Sequence, residues 1–148
     1  LGSWLSFDGS YVEAEPLLDE AVAMGERILG ADHVQVAVSK AALAQLYLAT
    51  DRVQECADMI ANARQILATQ LPENHWRTAW AGSVQGASLA RQEKFKEAEE
   101  LLLPSLAMLK QEPGSRSRTV YIDLTNGYLA DMYRKWGKSA QAARYDSR

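Results

Sequence analysis

Cysteine, proline, aromatic residues and positive charge are all scarce in this chain of 148 residues, and each shortage excludes something. The single thiol, Cys56, closes no internal disulfide, so the fold must rest on a packed core, and a cytoplasmic setting is expected. With 8% aromatics, 4 prolines and much Ala and Leu, the composition suits helices better than sheets. No apolar run approaches the ~20 residues of a membrane span, and no secretory signal is visible. The chain opens on Leu1 without an initiator Met and reads as a fragment of a longer protein. No Ser-His-Asp set, phosphate-binding glycine loop or cluster of metal ligands appears, so no enzyme activity, no cofactor and no metal are expected.

Charge is unevenly spread. Residues 1–112 carry 9 basic and 16 acidic side chains, whereas residues 113–148 carry 7 and 3. That polarity can orient an oppositely charged partner. It falls short of the basic stripe that nucleic-acid binding requires, so neither a nucleic-acid nor a membrane partner is expected.

What the chain does have is a repeat. Tyr11-Val12-Glu13-Ala14-Glu15, Val53-Gln54-Glu55-Cys56-Ala57 and Phe95-Lys96-Glu97-Ala98-Glu99 align at intervals of 42, and Ser139-Ala140-Gln141-Ala142-Ala143 follows after 44. Leu29-Gly30-Ala31-Asp32-His33 falls on Leu71-Pro72-Glu73-Asn74-His75, again 42 apart. A fixed period of this size marks a stacked array in which no unit buries its own apolar face alone. One domain is expected, with a partial repeat at 1–29, repeats at 30–71 and 72–113, and a C-terminal repeat at 114–148.

Each unit shows two bursts of helical periodicity. Val34, Val38, Ala41, Ala42, Gln45, Leu46 and Ala49 follow spacings of three and four, as do Val53, Cys56, Ala57, Ile60, Ala63, Ile66 and Leu67. The pattern predicts helices at 1–7, 11–29, 34–50, 53–69, 75–92, 95–110, 117–136 and 138–146. Gly9, Asp51, Glu93 and Gly137 mark the turns within pairs, and Asp32 and Asn74 stand where a side-chain oxygen would cap the next helix. Pro16 and Pro104 fall inside helices and predict kinks. Gly2, Ala44, Gly86 and Ala130 are small in the first helices, and Ala14, Cys56, Ala98 and Ala142 are small 12 residues later. Small residues at a crossing let two backbones approach, with Leu5, Tyr47, Leu89 and Tyr133 filling the volume beside them.

This alternation, best seen in Leu43-Ala44-Gln45-Leu46-Tyr47 and Leu129-Ala130-Asp131-Met132-Tyr133, resembles the tetratricopeptide repeat. Tyr11-Val-Glu-Ala-Glu-Pro-Leu-Leu18 and Leu29-Gly-Ala-Asp-His33 are similar to its longer, 42-residue form, found in kinesin-light-chain-like arrays. The segments His75-Trp76-Arg77-Thr78-Ala79-Trp80, Trp136-Gly137-Lys138 and Ala142-Ala143-Arg144-Tyr145 also resemble the C-terminal tetratricopeptide regions of bacterial serine/threonine kinases. Departures are the 44-residue interval, the loop Glu112-Pro113-Gly114-Ser115 without Asp-His, and a short final unit. The resemblance implies an all-α, right-handed superhelical solenoid of antiparallel pairs, about 7–8 helices in all. It implies a protein-interaction module that grips a protein or peptide in a concave groove lined by the first helices. A scaffold that self-associates through its end repeats, and a docking tail for an upstream kinase domain, are the alternatives.

The groove-facing positions expected to bind a partner are Gln45, Trp80, Ser83, Ala87, Arg91, Asp131, Arg134 and Lys135. Flanking them on that face are Val38, Ala41, Leu48, Ala49, Leu124 and Gly127, with Ser3, Ser6 and Phe7 from the truncated unit. Trp80 stands out as a large aromatic among Ala and Ser, suited to an apolar anchor. Arg91, Arg134 and Lys135 suit an acidic segment or a terminal carboxylate, although helix C-termini attract cations in any case. Cys56 occupies a slot held by Ala elsewhere and reads as a small buried hydrophobe. His33 and His75 are the same position in successive repeats, too far apart to share a zinc ion, and read as structural. Glu93, Glu97, Glu99 and Glu100, mixed with Lys94 and Lys96, read as a solvated helix start rather than a carboxylate pair.

Overall fold

A computed structural model describes residues 7–72, 75–111 and 116–146. Among these residues there are seven helices and no strand: α1 (Phe7–Leu29), α2 (Val34–Ala49), α3 (Val53–Gln70), α4 (Trp76–Arg91), α5 (Phe95–Lys110), α6 (Arg116–Lys135) and α7 (Ser139–Tyr145). The chain divides into two compact units, 1–73 and 74–148, close to the repeat boundary at 71/72. In the first unit α2 packs on α1 and α3. In the second, α5 packs on α4 and α6, α7 on α6, and α4 also meets α6.

The helix pair is built around its small residues. Ala44, Cys56, Ala98 and Ala130 are wholly inaccessible and Ala142 nearly so. Gly86 is the tightest place, because a Cβ there would come within 2.8 Å of Leu102 Cγ and 3.3 Å of the Ala98 carbonyl. Around the crossings Leu43, Ile60 and Leu67 fill the first unit, and Leu102, Leu109, Leu129, Met132 and Tyr133 the second.

Three turns share one hydrogen-bonding scheme although their residues differ. Asp51, Glu93 and Gly137 have φ of 66°, 64° and 82°, the left-handed region that lets a helix end. The N–H of the following residue then returns to the carbonyl five positions earlier: Arg52 to Tyr47 (2.7 Å), Lys94 to Leu89 (2.9 Å) and Lys138 to Tyr133 (2.8 Å). The inner bonds, Asp51 to Leu48, Glu93 to Ala90 and Gly137 to Arg134, complete the Schellman pattern. Only Gly137 adopts this conformation without a steric penalty.

Two local expectations need correction, and a third is not tested. The N-caps are His33 and His75, not Asp32, and Asn74 lies outside the described residues. Each imidazole Nδ1 accepts the backbone N–H two residues on, from Gln35 at 3.0 Å and Arg77 at 3.1 Å. A ring that accepts at Nδ1 carries its proton at Nε2, so the neutral side chain serves as Asn or Ser does elsewhere. Gly9 does not interrupt the chain, since α1 runs continuously from Phe7. The carbonyls that would close a Schellman turn there belong to residues 5 and 6, outside the described residues. The helix expected at 1–7 lies outside them as well, save for Phe7, with which α1 begins.

Proline does not end either helix that contains it: α1 continues through Pro16 and α5 through Pro104. Pro104 and Glu100 are both exposed, so the turn in which the ring removes a donor from the Glu100 carbonyl lies at the surface.

Two substitutions test these devices. Glu93→Gly should stabilise the protein by about 0.5–1 kcal/mol, because it removes a left-handed glutamate at some cost in unfolded-state entropy. Gly86→Ala should destabilise it by about 1–3 kcal/mol, despite the better helix propensity of Ala, because Leu102 has no space to yield. Urea denaturation midpoints measure both, and the two shifts should have opposite signs.

Candidate interaction surface

The residues expected to bind a partner fall on three helices in two units: Gln45 on α2, Trp80, Ser83, Ala87 and Arg91 on α4, and Asp131, Arg134 and Lys135 on α6. Gln45 is half-buried. Ser3 and Ser6 lie outside the described residues.

In the second unit the register between α4 and α6 can be read from three contacts. The Trp76 and Trp80 rings lie 5.4 and 5.2 Å from the Tyr121 ring, and Ser83 Oγ is 2.8 Å from Thr125 Oγ1. Residue number rises along both helices together, so they run parallel and end side by side. Arg91 at the end of α4 and Arg134-Lys135 at the end of α6 therefore share one edge of the unit.

Trp80, Ser83 and Ala87 sit beneath that edge rather than on it. They are 5%, 0% and 4% exposed. Trp80 is tilted against Tyr121, and burial pushes the Tyr121 phenol above its ordinary value while Arg77 opposes the shift. The two buried hydroxyls satisfy each other. Thr125 donates to the Tyr121 carbonyl at 2.7 Å, which leaves Ser83 as the donor to Thr125. These side chains hold α4 against α6 and set the spacing of what lies above them.

At the rim, Arg91 is half-buried and Asp131, Arg134 and Lys135 are exposed. Arg134 is already engaged: one guanidinium nitrogen meets Asp131 at 2.7 Å, and another meets Asp146 beyond α7. Lys135 is a second exposed cation on this rim, in a position that the dipole of α6 favours.

Two half-buried groups escaped the sequence reading. Trp76 stacks on Tyr121, with the Arg77 guanidinium 5.3 Å over its ring. At the far end of α6, Trp136 stacks on Phe95 at 5.6 Å and Lys138 Nζ sits 3.8 Å over it. The signal for both was an aromatic beside a basic residue, Trp76-Arg77 and Trp136-Gly137-Lys138. Nearby, Tyr133 is buried, and its hydroxyl donates to Glu99 Oε2 at 2.6 Å. Burial and then the Glu99 carboxylate hold its phenol well above the ordinary range. In the first unit, at corresponding places, Arg52 bridges Glu15 (2.7 Å) and Glu55 (2.7 Å) and lies 4.3 Å over the Tyr47 ring. Hydrogen bonding to Arg52 lowers the Glu55 carboxyl below its usual value.

The described residues contain no group of three or more His, Cys, Asp or Glu that could hold a metal ion. His33 and His75 cap helices, and Cys56 is wholly buried. No helix among the described residues is long and apolar enough to cross a membrane.

Helix pairs of this geometry, repeated at a 42-residue interval, define an all-α tetratricopeptide-type fold, and comparisons with known proteins agree. Residues 1–67 match the family model described as "Tetratricopeptide repeat". Two solved structures of a putative kinesin light chain from Podosopora anserina, with nearly identical TPR-like repeats, superpose with a TM-score of 0.70 at 24% identity; one of them is of a point variant. The alignment covers 93% of this chain and 64% of each of those chains. At that identity the likeness is one of fold. No curated protein sequence matches this chain.

Tyr133→Phe tests the buried phenol. Removing the hydroxyl leaves the Glu99 carboxylate without its donor and should cost about 1.5–3 kcal/mol in urea denaturation. The raised phenol makes a second, pH-dependent expectation. Its contribution is fully present below the ordinary tyrosine value near 10 and declines as pH rises above it. An ultraviolet titration should show a class of tyrosines that ionise late, and that class should lose one residue in Tyr133→Phe while Tyr47 and Tyr121, also raised by burial, remain in it.

Proposed function

We propose that this chain is a non-catalytic protein-interaction module, and that a peptide or protein segment lies across α4 and α6, the first helices of the pairs in its second unit. The observation that carries the reading is the parallel register of α4 and α6, which gathers Arg91, Arg134 and Lys135 at one edge above a rigid layer of Trp80, Ser83, Tyr121 and Thr125. A rigid layer lets few side chains set specificity, because little ordering entropy is lost on binding. Tetratricopeptide repeats as a class mediate protein–protein contacts, which supports the same reading.

Burial divides the binding set by role. In the second unit Asp131, Arg134 and Lys135, with half-buried Arg91, offer polar atoms to a partner. Trp80, Ser83 and Ala87 position them from beneath. The Asp131–Arg134–Asp146 group presents both signs, so the segment it favours carries a carboxylate towards Arg91 and Lys135 and a donor towards Asp131.

Selection of peptides from a random displayed library against the intact chain tests the reading. Enriched peptides should be rich in Asp or Glu, and Arg91→Glu or Lys135→Glu should weaken them by about tenfold with helicity unchanged. Trp80→Ala is expected to lower stability by about 3–5 kcal/mol and so affects binding through the fold. Failure to enrich any peptide, or affinities indifferent to both charge reversals, would overturn the proposal.

A further inference from the structure

Helices α2 and α4 are capped by side chains whose charge changes near neutrality. His33 stands before α2 and His75 before α4, and each Nδ1 accepts the backbone N–H two residues on. Ser, Thr and Asn, the usual residues at such a position, keep their acceptor between about pH 5 and 8, and Asp is already ionised there. Histidine alone loses its acceptor in that interval. Both nitrogens of an imidazolium ring donate, so no rotation of the ring restores the bond.

Protonation also sets a positive charge at the positive end of each helix dipole. Neither first turn holds an acidic residue to offset it. At the start of α2 the charged groups are mixed. Asp32 precedes His33, and its carbonyl accepts from Gln70 Nε2 at the end of α3 (2.6 Å). Helix α1 brings Arg27 in its last turn, and its Glu26 is paired with Lys40 of α2. At the start of α4 they are basic. Arg77 lies in the same turn, α5 ends with Lys110, and the first turn of α6 contains Arg116 and Arg118. The one other titratable group there is Tyr121, which meets Trp76, and Glu73 lies outside the described residues. His33 is exposed and His75 half-buried, so a second positive charge is least tolerated at His75.

We propose that His33 and His75 make the fold acid-sensitive at the starts of α2 and α4: a neutral ring caps the helix, and a protonated ring releases its first turn. The capping bond belongs to the neutral form. Its contribution is therefore present above the ordinary histidine range, near pH 6.5, and is lost as pH falls through it. In the second unit the released turn carries Trp76, stacked on Tyr121 at 5.4 Å, so acid loosens α4 against α6 from that end. The far ends of both helices close with backbone groups alone and do not respond.

Nuclear magnetic resonance of the intact, isotope-labelled chain tests this. Well above the histidine range, at about pH 7.5, both rings should show a bare Nδ1 and a protonated Nε2. Hydrogen-exchange protection of the Gln35 and Arg77 amides, corrected for the intrinsic effect of pH, should fall about fivefold between there and about pH 5, the factor that one cap contributes at equilibrium. The Thr50 and Gln92 amides, bonded to backbone carbonyls at the far ends of the same helices, should keep their protection. His33→Asn should abolish the fall at Gln35 alone, and His75→Asn the fall at Arg77 alone, because asparagine caps without titrating. A protonated Nδ1 at the higher pH, or protection at Gln35 and Arg77 indifferent to pH, would overturn the proposal. So would an equal fall at Thr50 and Gln92, or a fall that survives the asparagine substitutions.

Discussion

The close approach of two helices at a pair of small side chains is the constraint from which the rest of this structure follows. At Gly86 even a methyl group would overlap Leu102, and Ala44, Cys56, Ala130 and Ala142 show the same crowding by their burial. Interiors this dense transmit size changes directly. A large residue therefore has to stand beside each small one, which is why Tyr47 and Tyr133 are buried next to the crossings. The crossing also fixes the turn. Two helices held that near can be joined only by a sharp reversal, and the left-handed residues Asp51, Glu93 and Gly137 supply it with the same two hydrogen bonds each time. That Asp and Glu tolerate a conformation better suited to Gly shows that packing, not local preference, sets the turn.

The same constraint explains which parts of the fold were legible. Periodicity and the small residues placed six of the seven helices to within a residue or two, because burial on one face imposes the spacing. Caps were less legible. Asp32 looked like the capping residue because its oxygen is the usual acceptor, yet the imidazole Nδ1 of His33 offers a lone pair of similar reach one position later. The histidines were read as structural, and the capping bond supplies the mechanism that spacing alone could not. Gly9 misled in the opposite way. Glycine permits a left-handed turn but does not require one, and the same residue passes through α1 as part of a helix.

Legibility of the candidate site failed at a definite step. Spacings of three and four identify the residues that share a face of α4, but not which part of that face α6 then covers. Trp80 looked like an anchor because it was the one large aromatic among Ala and Ser. In the folded unit that contrast serves Tyr121 and the hydroxyl pair of Ser83 and Thr125, a polar contact within an apolar layer. Such a pair favours one register over a slide of the two helices, since any other leaves a buried hydroxyl unsatisfied. The charged residues, in contrast, stayed at the surface as their types require. The pairing of Arg134 with Asp131 and Asp146 was beyond the sequence, because Asp146 becomes a neighbour only when α7 folds back on α6.

Departures from the repeat carry more functional information than the repeat does. Where α1 has the exposed Ile28, the corresponding position of α3 is the exposed polar Gln70. At 72% exposure Ile28 contributes little to the packing of α1 on α2. The same reasoning separates Lys135 from Arg134. Arg134 is accounted for by two carboxylates of its own unit, whereas Lys135 on the same turn adds charge that the fold does not use for closing α7 onto α6. Side chains that packing and capping already explain are poor guides to a partner. The exposed cation at the end of α6 is a better one, because closing α7 onto α6 does not use it.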